Sequence, residues 1–310
     1  MRILIAGGLG FIGTNLAIDL LKKGNEVVIV DDLSSGQKSN LEIINKYGNP
    51  LLLIHDVVNP LEMDKIDRIY NLACEASPQF YQSNPLQTTK TCVIGTMNLL
   101  EIARKCNAKF LQASISEVYG NPLQHPQKES YLGNVSCTGI RACYDEGKRC
   151  AESIVMEYNR SYGVDTKIVR IFNTYGEFMR PDDGRVISNF IMQSLNHMPF
   201  TIYGDGGQTR SVCYVSDLLC GFELLLNSNY HNPVNLGNDE EYTVFELAKI
   251  VSEIANVPFD VDYYNLPEDD PVLRKPDLSL AKELLGYEPR ISVAQGIKKT
   301  FEYFKGRMNK

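Results

Sequence analysis

The first half of the chain alternates short, mainly apolar runs with longer stretches in which apolar residues recur at helical spacing. The short runs predict buried strands at residues 2–6, 26–31, 51–55, 68–72 and 109–114. The longer stretches, residues 11–23 and 85–106, predict helices. Because strands that alternate with helices pair in parallel and are covered on both faces, the pattern predicts an α/β fold, a Rossmann-like doubly wound parallel sheet.

The second half begins with a predicted helix at residues 141–162 and a predicted strand at 166–172. After Asn173, glycines and prolines interrupt short apolar runs, which indicates a smaller, mixed α/β lobe. Residues 211–237 are regular enough to return to the main sheet. The predicted domains are therefore discontinuous: residues 1–174 with 211–237, and residues 175–210 with 238–310.

Charge and cysteine usage exclude several classes of protein. The net charge of −7 argues against a nucleic-acid surface. The eight cysteines form no C-x-x-C pair and the four histidines are scattered, so we predict no metal site and free, reduced thiols. The N-terminal residues run directly into a glycine-rich turn, and no apolar run is long enough to span a bilayer. We predict a cytoplasmic protein.

A glycine-rich turn follows the first predicted strand and opens the first predicted helix. Its spacing is G-x-x-G-x-x-G, and this context favours the approach of a dinucleotide pyrophosphate to backbone N–H groups at the helix N-terminus. A plain tight turn is the lesser alternative. The residues predicted to bind the cofactor here are Gly7, Gly10, Phe11, Ile12 and Gly13.

Two acidic residues follow the next strands. Asp31 ends the second strand, where a carboxylate accepts the ribose hydroxyls of NAD and repels the 2′-phosphate of NADP. Asp56 follows the third strand and either meets the adenine or is a solvated loop carboxylate. The cofactor we predict is therefore NAD.

Tyr144 and Lys148 stand four residues apart in the long second helix, so they share one face. A phenol titrates near about 10 in water, and a neighbouring lysine cation favours its ionised form. Tyr144 is thus the predicted base that takes a proton from a sugar hydroxyl as hydride leaves, and Lys148 also binds the nicotinamide ribose. Alone this spacing is common on helix surfaces. Behind a dinucleotide turn it becomes a strong signal.

Longer strings resemble one family along essentially the whole chain. They are S-E-V-Y-G at 116–120, R-A-C-Y-D-E-G-K-R at 141–149, R-I-F-N-T-Y-G at 170–176, D-G-R-V at 183–186 and R-K-P-D at 274–277. Together with the dinucleotide turn, they resemble the extended short-chain dehydrogenases/reductases, and most closely the UDP-glucuronate decarboxylases, or UDP-xylose synthases.

The resemblance implies a cycle in which NAD oxidises C4 of UDP-glucuronate, the β-keto acid loses carbon dioxide, and the retained NADH reduces the 4-keto-pentose to UDP-xylose. It implies that Ser116, Glu117 and Arg274 assist decarboxylation or reprotonation. It also implies binding of the UDP-sugar, by Asn173, Arg185, Tyr203, Arg210 and Arg274. The first domain then holds NAD and the second lobe the nucleotide sugar, usually in a homodimer built on the two long helices.

Two positions depart from the family pattern. Ile115 replaces the threonine whose hydroxyl binds the sugar O4, a loss on the order of 1–3 kcal/mol in the transition state. Ser114 or Ser116 offers a partial substitute. Glu75 stands in L-A-C-E-A-S-P, where the family has L-A-S-P-A-S-P, and it either repels a glucuronate carboxylate or faces solvent.

These departures keep other functions open. The same oxidation serves a different nucleotide-sugar enzyme, such as one of 4-oxidation type, a 4-epimerase or a 4,6-dehydratase. A dehydratase, however, normally carries Asp-Glu where this chain has Ser116-Glu117. A weakly active NAD or nucleotide-sugar sensor is the alternative from another class, supported by Ile115 alone.

Overall fold

The computed structural model describes residues 1–265 and 273–308. Within those residues, seven strands form the largest sheet, in the order β11-β6-β5-β4-β1-β2-β3. Their bounds are β1 Arg2–Ala6, β2 Glu26–Asp31, β3 Leu51–Ile54, β4 Arg68–Asn71, β5 Lys109–Ile115, β6 Thr166–Ile171 and β11 Val234–Leu236. From β3 to β6 every neighbouring pair is parallel, which confirms the predicted Rossmann-like α/β fold.

Helices cover this sheet because its central strands are apolar on both faces. Ile3, Leu4 and Ile5 of β1 are all 0% exposed, as a strand between two helical layers requires. The strand order reverses between β1 and β4, because β2 and β3 lie on one side of β1 and the later strands lie on the other. Ligands of such sheets bind at this point, at the carboxyl ends of the strands. The helices that precede β6 are α1 Phe11–Lys22, α2 Lys38–Ile44, α3 Pro78–Tyr81, α4 Pro85–Lys90, α5 Thr96–Cys106 and α6 Ala142–Tyr162.

The two long predicted helices differ in regularity. A π-helical turn, Thr91–Gly95, joins α4 to α5, so residues 85–106 are helical throughout with one irregular turn. In contrast, α6 is one uninterrupted helix that ends at Gly163, which adopts a left-handed conformation at φ +67.

The remaining strands are short and pair in three small sheets, β10-β7, β12-β9-β14 and β13-β8. They are β7 Thr174–Tyr175, β8 Phe200–Tyr203, β9 Thr209–Ser211, β10 Cys213–Tyr214, β12 Glu241–Thr243, β13 Val261–Tyr264 and β14 Leu273–Arg274. The helices among and after them are α7 Val186–Leu195, α8 Val215–Asn227, α9 Val244–Ala255, α10 Ser279–Leu285 and α11 Val293–Met308.

The chain forms two compact units. The first comprises Met1–Val118, Val135–Ile171 and Leu219–Val234, and the second comprises Tyr119–Asn134, Phe172–Leu218 and Asn235–Lys310. Four segments that the sequence analysis placed with the main sheet cluster with the second unit: residues 119–134, 172–174, 211–218 and 235–237. The assignment of NAD to one predicted domain and the nucleotide sugar to the other stays a prediction.

Candidate active site

The turn after β1 is shaped by its glycines. Gly7 adopts φ +78, and a Cβ there would lie 2.8 Å from the carbonyl oxygen of Leu72, in the loop after β4. A Cβ on Gly13 would overlap the carbonyl oxygen of Gly7. Gly10 caps α1, whose first turn, starting at Phe11 and Ile12, carries no acidic side chain. This side-chain-free cradle at a helix N-terminus fits a pyrophosphate.

Asp31 lies against this turn. Its carboxylate is 6% exposed and accepts hydrogen bonds from the backbone N–H groups of Leu9 and Leu33, each at 2.9 Å. Burial raises the pKa of Asp31, although these two hydrogen bonds oppose the shift. Asp56 is engaged elsewhere, because it accepts from Gln87 Nε2 at 2.9 Å. Of the two predicted carboxylates, Asp31 is therefore the one attached to the glycine turn.

Tyr144 and Lys148 are buried together in the first two turns of α6, with exposed fractions of 2% and 3%. Lys148 Nζ donates a hydrogen bond of 2.9 Å to the carbonyl oxygen of Ala113 in β5. The same Nζ lies 5.9 Å from the centre of the Tyr144 ring. The sheet thus holds the Lys148 amine near the Tyr144 ring, and a positive charge near a phenol favours its ionised form.

The next group of predicted residues lies at the end of β5. Ile115 is the last residue of the strand and is 8% exposed. Because its side chain is a hydrocarbon, this position provides no hydroxyl. Ser116 and Glu117 open a short 3₁₀ turn, and Ser116 Oγ donates to the Glu117 carboxylate at 3.1 Å. Ser114 is turned to a different partner, because its hydroxyl donates to Glu152 at 2.5 Å. Ser116 is therefore the serine that lies beside Glu117.

Two further residues of this region were not predicted. The ring of Tyr81 stacks on that of Tyr144, with centroids 4.6 Å apart and planes 9° apart. Burial raises the pKa of Tyr81 to about 12, so its phenol stays protonated at neutral pH. The Tyr81 hydroxyl is buried without a hydrogen-bond partner among the described residues. A buried polar atom of this kind fits contact with a polar ligand.

Arg141 is the second residue that was missed. It lies at the N-terminus of α6, and its guanidinium approaches Glu117 at 3.8 Å and Asp145 at 3.7 Å. It thereby places a positive charge beside the Glu117 carboxylate. The R-A-C-Y-D-E-G-K-R string contained Arg141, but its spacing gave no sign that its partner was in a separate segment.

Two predicted substrate arginines meet in the second unit. Arg210 in β9 and Arg274 in β14 are register partners in adjacent parallel strands. Arg274 is 7% exposed, whereas Arg210 is half-buried. Parallel register puts both side chains on the same face of this small sheet, so the pair forms a concentrated positive charge suited to an anionic group.

The other predicted substrate residues lie on separate elements of the second unit. Asn173 precedes β7, and its carbonyl oxygen accepts from the N–H of Cys213 at 2.8 Å. Arg185 precedes α7 and pairs with Asp183. Tyr203 ends β8, is 42% exposed, and packs against Tyr264 with ring centroids 6.0 Å apart.

Glu75 is partly buried in the loop between β4 and α3. Its backbone carbonyl accepts from Cys74 Sγ at 3.5 Å. The pKa of that thiol is raised mainly by its hydrogen bond with Cys92 and by burial, and to a smaller extent by the Glu75 charge. Whether this carboxylate meets a sugar stays a prediction.

Residues 1–265 and 273–308 contain neither a metal-binding cluster nor a membrane-spanning helix. Histidine, cysteine and carboxylate side chains nowhere gather in threes to hold a metal ion in that part of the chain. Within the same residues, no helix combines the length and apolarity needed to cross a membrane.

Residues 4–300 match the protein family described as GDP-mannose 4,6 dehydratase. The chain is also similar to UDP-glucuronic acid decarboxylase 1 of Arabidopsis thaliana, with 48% identity over 310 residues that cover 99% of this chain and 71% of that protein. The chain therefore belongs to the GDP-mannose 4,6 dehydratase family, and within it to the group of UDP-glucuronic acid decarboxylases. The resemblance to extended short-chain dehydrogenases/reductases inferred from the sequence is confirmed.

Solved structures carry the same fold. UDP-glucose 4-epimerase of Thermotoga maritima, with UDP-glucose, has a TM-score of 0.90 at 28% identity, covering 99% of this chain and 100% of that one. UDP-glucuronic acid 4-epimerase of Bacillus cereus, in complex with UDP-glucuronic acid and NAD, has a TM-score of 0.87 at 26% identity, again covering 99% and 100%. The neighbours are therefore nucleotide-sugar enzymes.

Proposed function

We propose that this chain is an NAD-dependent UDP-glucuronate decarboxylase that produces UDP-xylose. The observation that carries the proposal is the buried Tyr144–Lys148 pair, in a chain 48% identical to a UDP-glucuronic acid decarboxylase. The NAD-bound neighbour supports the cofactor. The glycine cradle with Asp31 supports its place, because a pyrophosphate needs backbone N–H groups and a ribose needs a hydrogen-bond acceptor.

NAD held by the glycine turn and Asp31 would supply the acceptor for the C4 hydride of the sugar and the donor for its later return. Tyr144 takes the proton of the C4 hydroxyl and gives it back in the reduction. Lys148, fixed by Ala113, stabilises the phenolate in between. The buried, protonated Tyr81 covers one face of the Tyr144 ring and excludes water from it.

Decarboxylation follows the first oxidation because a ketone at C4 stabilises the electrons left by the departing carbon dioxide. In our proposal, Glu117 and Ser116 are joined by their hydrogen bond and act at C5, the carbon that loses carbon dioxide. They control the reprotonation of that carbon. Arg141, whose guanidinium lies 3.8 Å from the Glu117 carboxylate, holds that carboxylate in place. Arg274 favours carbon dioxide release, while Arg210, Arg185, Asn173 and Tyr203 bind the UDP-sugar.

A panel of UDP, TDP and GDP sugars, incubated with the protein and NAD, tests the proposal by mass spectrometry. We expect UDP-glucuronate to lose carbon dioxide and yield a UDP-pentose. A new chromatographic peak with the mass of the substrate indicates instead the 4-epimerase alternative, which the Bacillus cereus neighbour favours. If no product is formed and no NADH absorbance is detected, the protein is a sensor, which is the alternative that rests on Ile115.

We further propose that the protein is a cytoplasmic homodimer. The helical run of residues 85–106 exposes three large apolar side chains, Leu86 at 75%, Ile94 at 40% and Met97 at 43%. Apolar side chains on one helical surface favour burial against a second copy. Light scattering after gel filtration tests this, with twice the chain mass expected and the single chain mass as the contrary result.

A further inference from the structure

Two thiols from separate segments meet near the predicted catalytic pair. Cys74 lies in the loop after β4 and Cys92 lies in the π-helical turn, and their sulfur atoms are 3.4 Å apart. Cys92 is 1% exposed, whereas Cys74 is partly exposed. A disulfide bond is about 2.05 Å long, so a closer approach of about 1.3 Å joins the two sulfurs.

The surroundings of the pair favour ionisation of one sulfur. The hydrogen bond between the thiols raises the pKa of Cys74 and lowers that of Cys92. Burial of Cys92 opposes this shift and the Lys148 cation adds to it, and on balance the pKa of Cys92 is lowered. A thiolate is the form of cysteine that reacts with peroxides, so the environment provides a reactive sulfur with a second sulfur in contact.

Cys92 also packs directly on the turn of α6 that carries the predicted catalytic residues. A Cβ on Gly147 would lie 3.0 Å from Cys92 Cβ and 3.3 Å from its sulfur. Gly147 immediately precedes Lys148 and follows Tyr144 by three residues. Thr89, one turn before Cys92, also donates to the carbonyl oxygen of Cys143 at 3.3 Å. Movement of the π-helical turn is therefore transmitted to this part of α6.

We propose that Cys74 and Cys92 form an oxidisable dithiol, which hydrogen peroxide converts into a disulfide, and that this disulfide slows turnover by shifting Tyr144 and Lys148. The effect on turnover rests on the proposed role of those two residues. Formation of the disulfide does not depend on it.

The chemistry balances with peroxide as the only oxidant. The Cys92 thiolate attacks one peroxide oxygen and the O–O bond breaks. Hydroxide departs from the peroxide, and Cys92 becomes a sulfenic acid. That hydroxide takes the proton of Cys74 and becomes water. The Cys74 thiolate then attacks the Cys92 sulfur, the S–S bond forms, and the S–O bond breaks to release hydroxide. Both sulfurs are oxidised and both peroxide oxygens are reduced.

Peroxide treatment of the full chain, followed by alkylation and peptide mass mapping, tests the proposal. We expect a Cys74–Cys92 linked peptide, lighter than the two reduced peptides by two hydrogens. Turnover should fall by about 10- to 100-fold, because displacements near 1 Å at reacting groups have effects of this size. Dithiothreitol should restore it. Because the link is read by mass, it is detected or missed independently of which sugar the enzyme uses.

Two variants make the test specific. Cys74→Ser introduces the residue that the family pattern has there, and its turnover should keep a much larger fraction after peroxide than wild type. Cys220→Ser removes an exposed thiol on α8 and should lose turnover like wild type. Oxidation of exposed Cys137, Cys150 and Cys220 with Cys74 and Cys92 still alkylated would overturn the dithiol. A complete disulfide with undiminished turnover would overturn its coupling to the active site.

Discussion

The predicted chemical residues of the first unit and the predicted recognition residues of the second are held in different ways. Tyr144 and Lys148 are 2% and 3% exposed on a helix of 21 residues. Arg210 and Tyr203 are half-buried or exposed, on strands of three and four residues. The contrast indicates that changes at Tyr144 and Lys148 should reduce the rate, whereas changes at Arg210 and Tyr203 should reduce the affinity for the nucleotide sugar.

Removing the Tyr144 hydroxyl should produce the largest effect. We expect Tyr144→Phe to lower turnover about 10²- to 10⁴-fold, the usual contribution of a positioned base, while NAD affinity changes little. Tyr158→Phe is a matched control on the same helix, since its hydroxyl donates to Glu101 instead. Stopped-flow absorbance and NAD titration measure the two quantities. A loss of NAD affinity with normal turnover would assign Tyr144 a structural role.

The paired arginines of the second unit test the contrast from the other side. Loss of a charged hydrogen bond costs about 1.5–3 kcal/mol, so Arg210→Ala should raise KM roughly 10- to 100-fold with less change in kcat. Arg274→Ala, at the partner position, should slow carbon dioxide release more than the first oxidation. Equal slowing of both steps by Arg274→Ala would place its guanidinium on the diphosphate.

Asp31 ends β2 and Asp32 begins the following loop. Comparing substitutions at these two positions should distinguish a specific role in cofactor binding from a general effect on the loop. Asp31→Asn should weaken NAD binding about tenfold, because one hydrogen-bond acceptor for the ribose becomes a donor. Asp32→Asn is the control, since the Asp32 carboxylate accepts from Ser34 in its own loop. Calorimetric titration with NAD measures both variants. Equal weakening by the two substitutions contradicts a specific role for Asp31.

The smallest effect is expected at the position that departs from the family. Ile115→Thr should raise turnover a few-fold to about tenfold, if the new hydroxyl reaches the sugar O4. Ile115→Val controls for the change in volume. A lower rate for the threonine variant than for the valine variant indicates a pocket rebuilt around an apolar residue.

Local patterns predicted the sheet well and the site partly. Strand β1 was predicted with its observed bounds because its residues are apolar on both faces and glycine ends it. Short α3 was missed because four residues show no helical period. The contacts of Tyr81 and Arg141 were missed for another reason: their partners, Tyr144 and Glu117, are distant in sequence and meet only after folding.

The two serines that flank Ile115 show the same limit, because the sequence does not predict their hydrogen-bond partners. Period-two alternation places Ser114 on the face opposite to Ile115, whereas Ser116 lies in the 3₁₀ turn after the strand. Only packing decides the partners of the two serines. Ser114 is engaged by Glu152, which is also paired with Arg170 at 2.7 Å. Ser116 is beside Glu117.

UDP-glucuronate carrying deuterium at C4 provides the most direct test of the central claim, that one bound NAD serves both oxidation and reduction around a decarboxylation. The product should be a UDP-pentose that has lost carbon dioxide and retained the deuterium at C4. A pentose without deuterium would contradict internal recycling of the hydride. A deuterated product that still carries its carboxylate would contradict decarboxylation and indicate epimerisation.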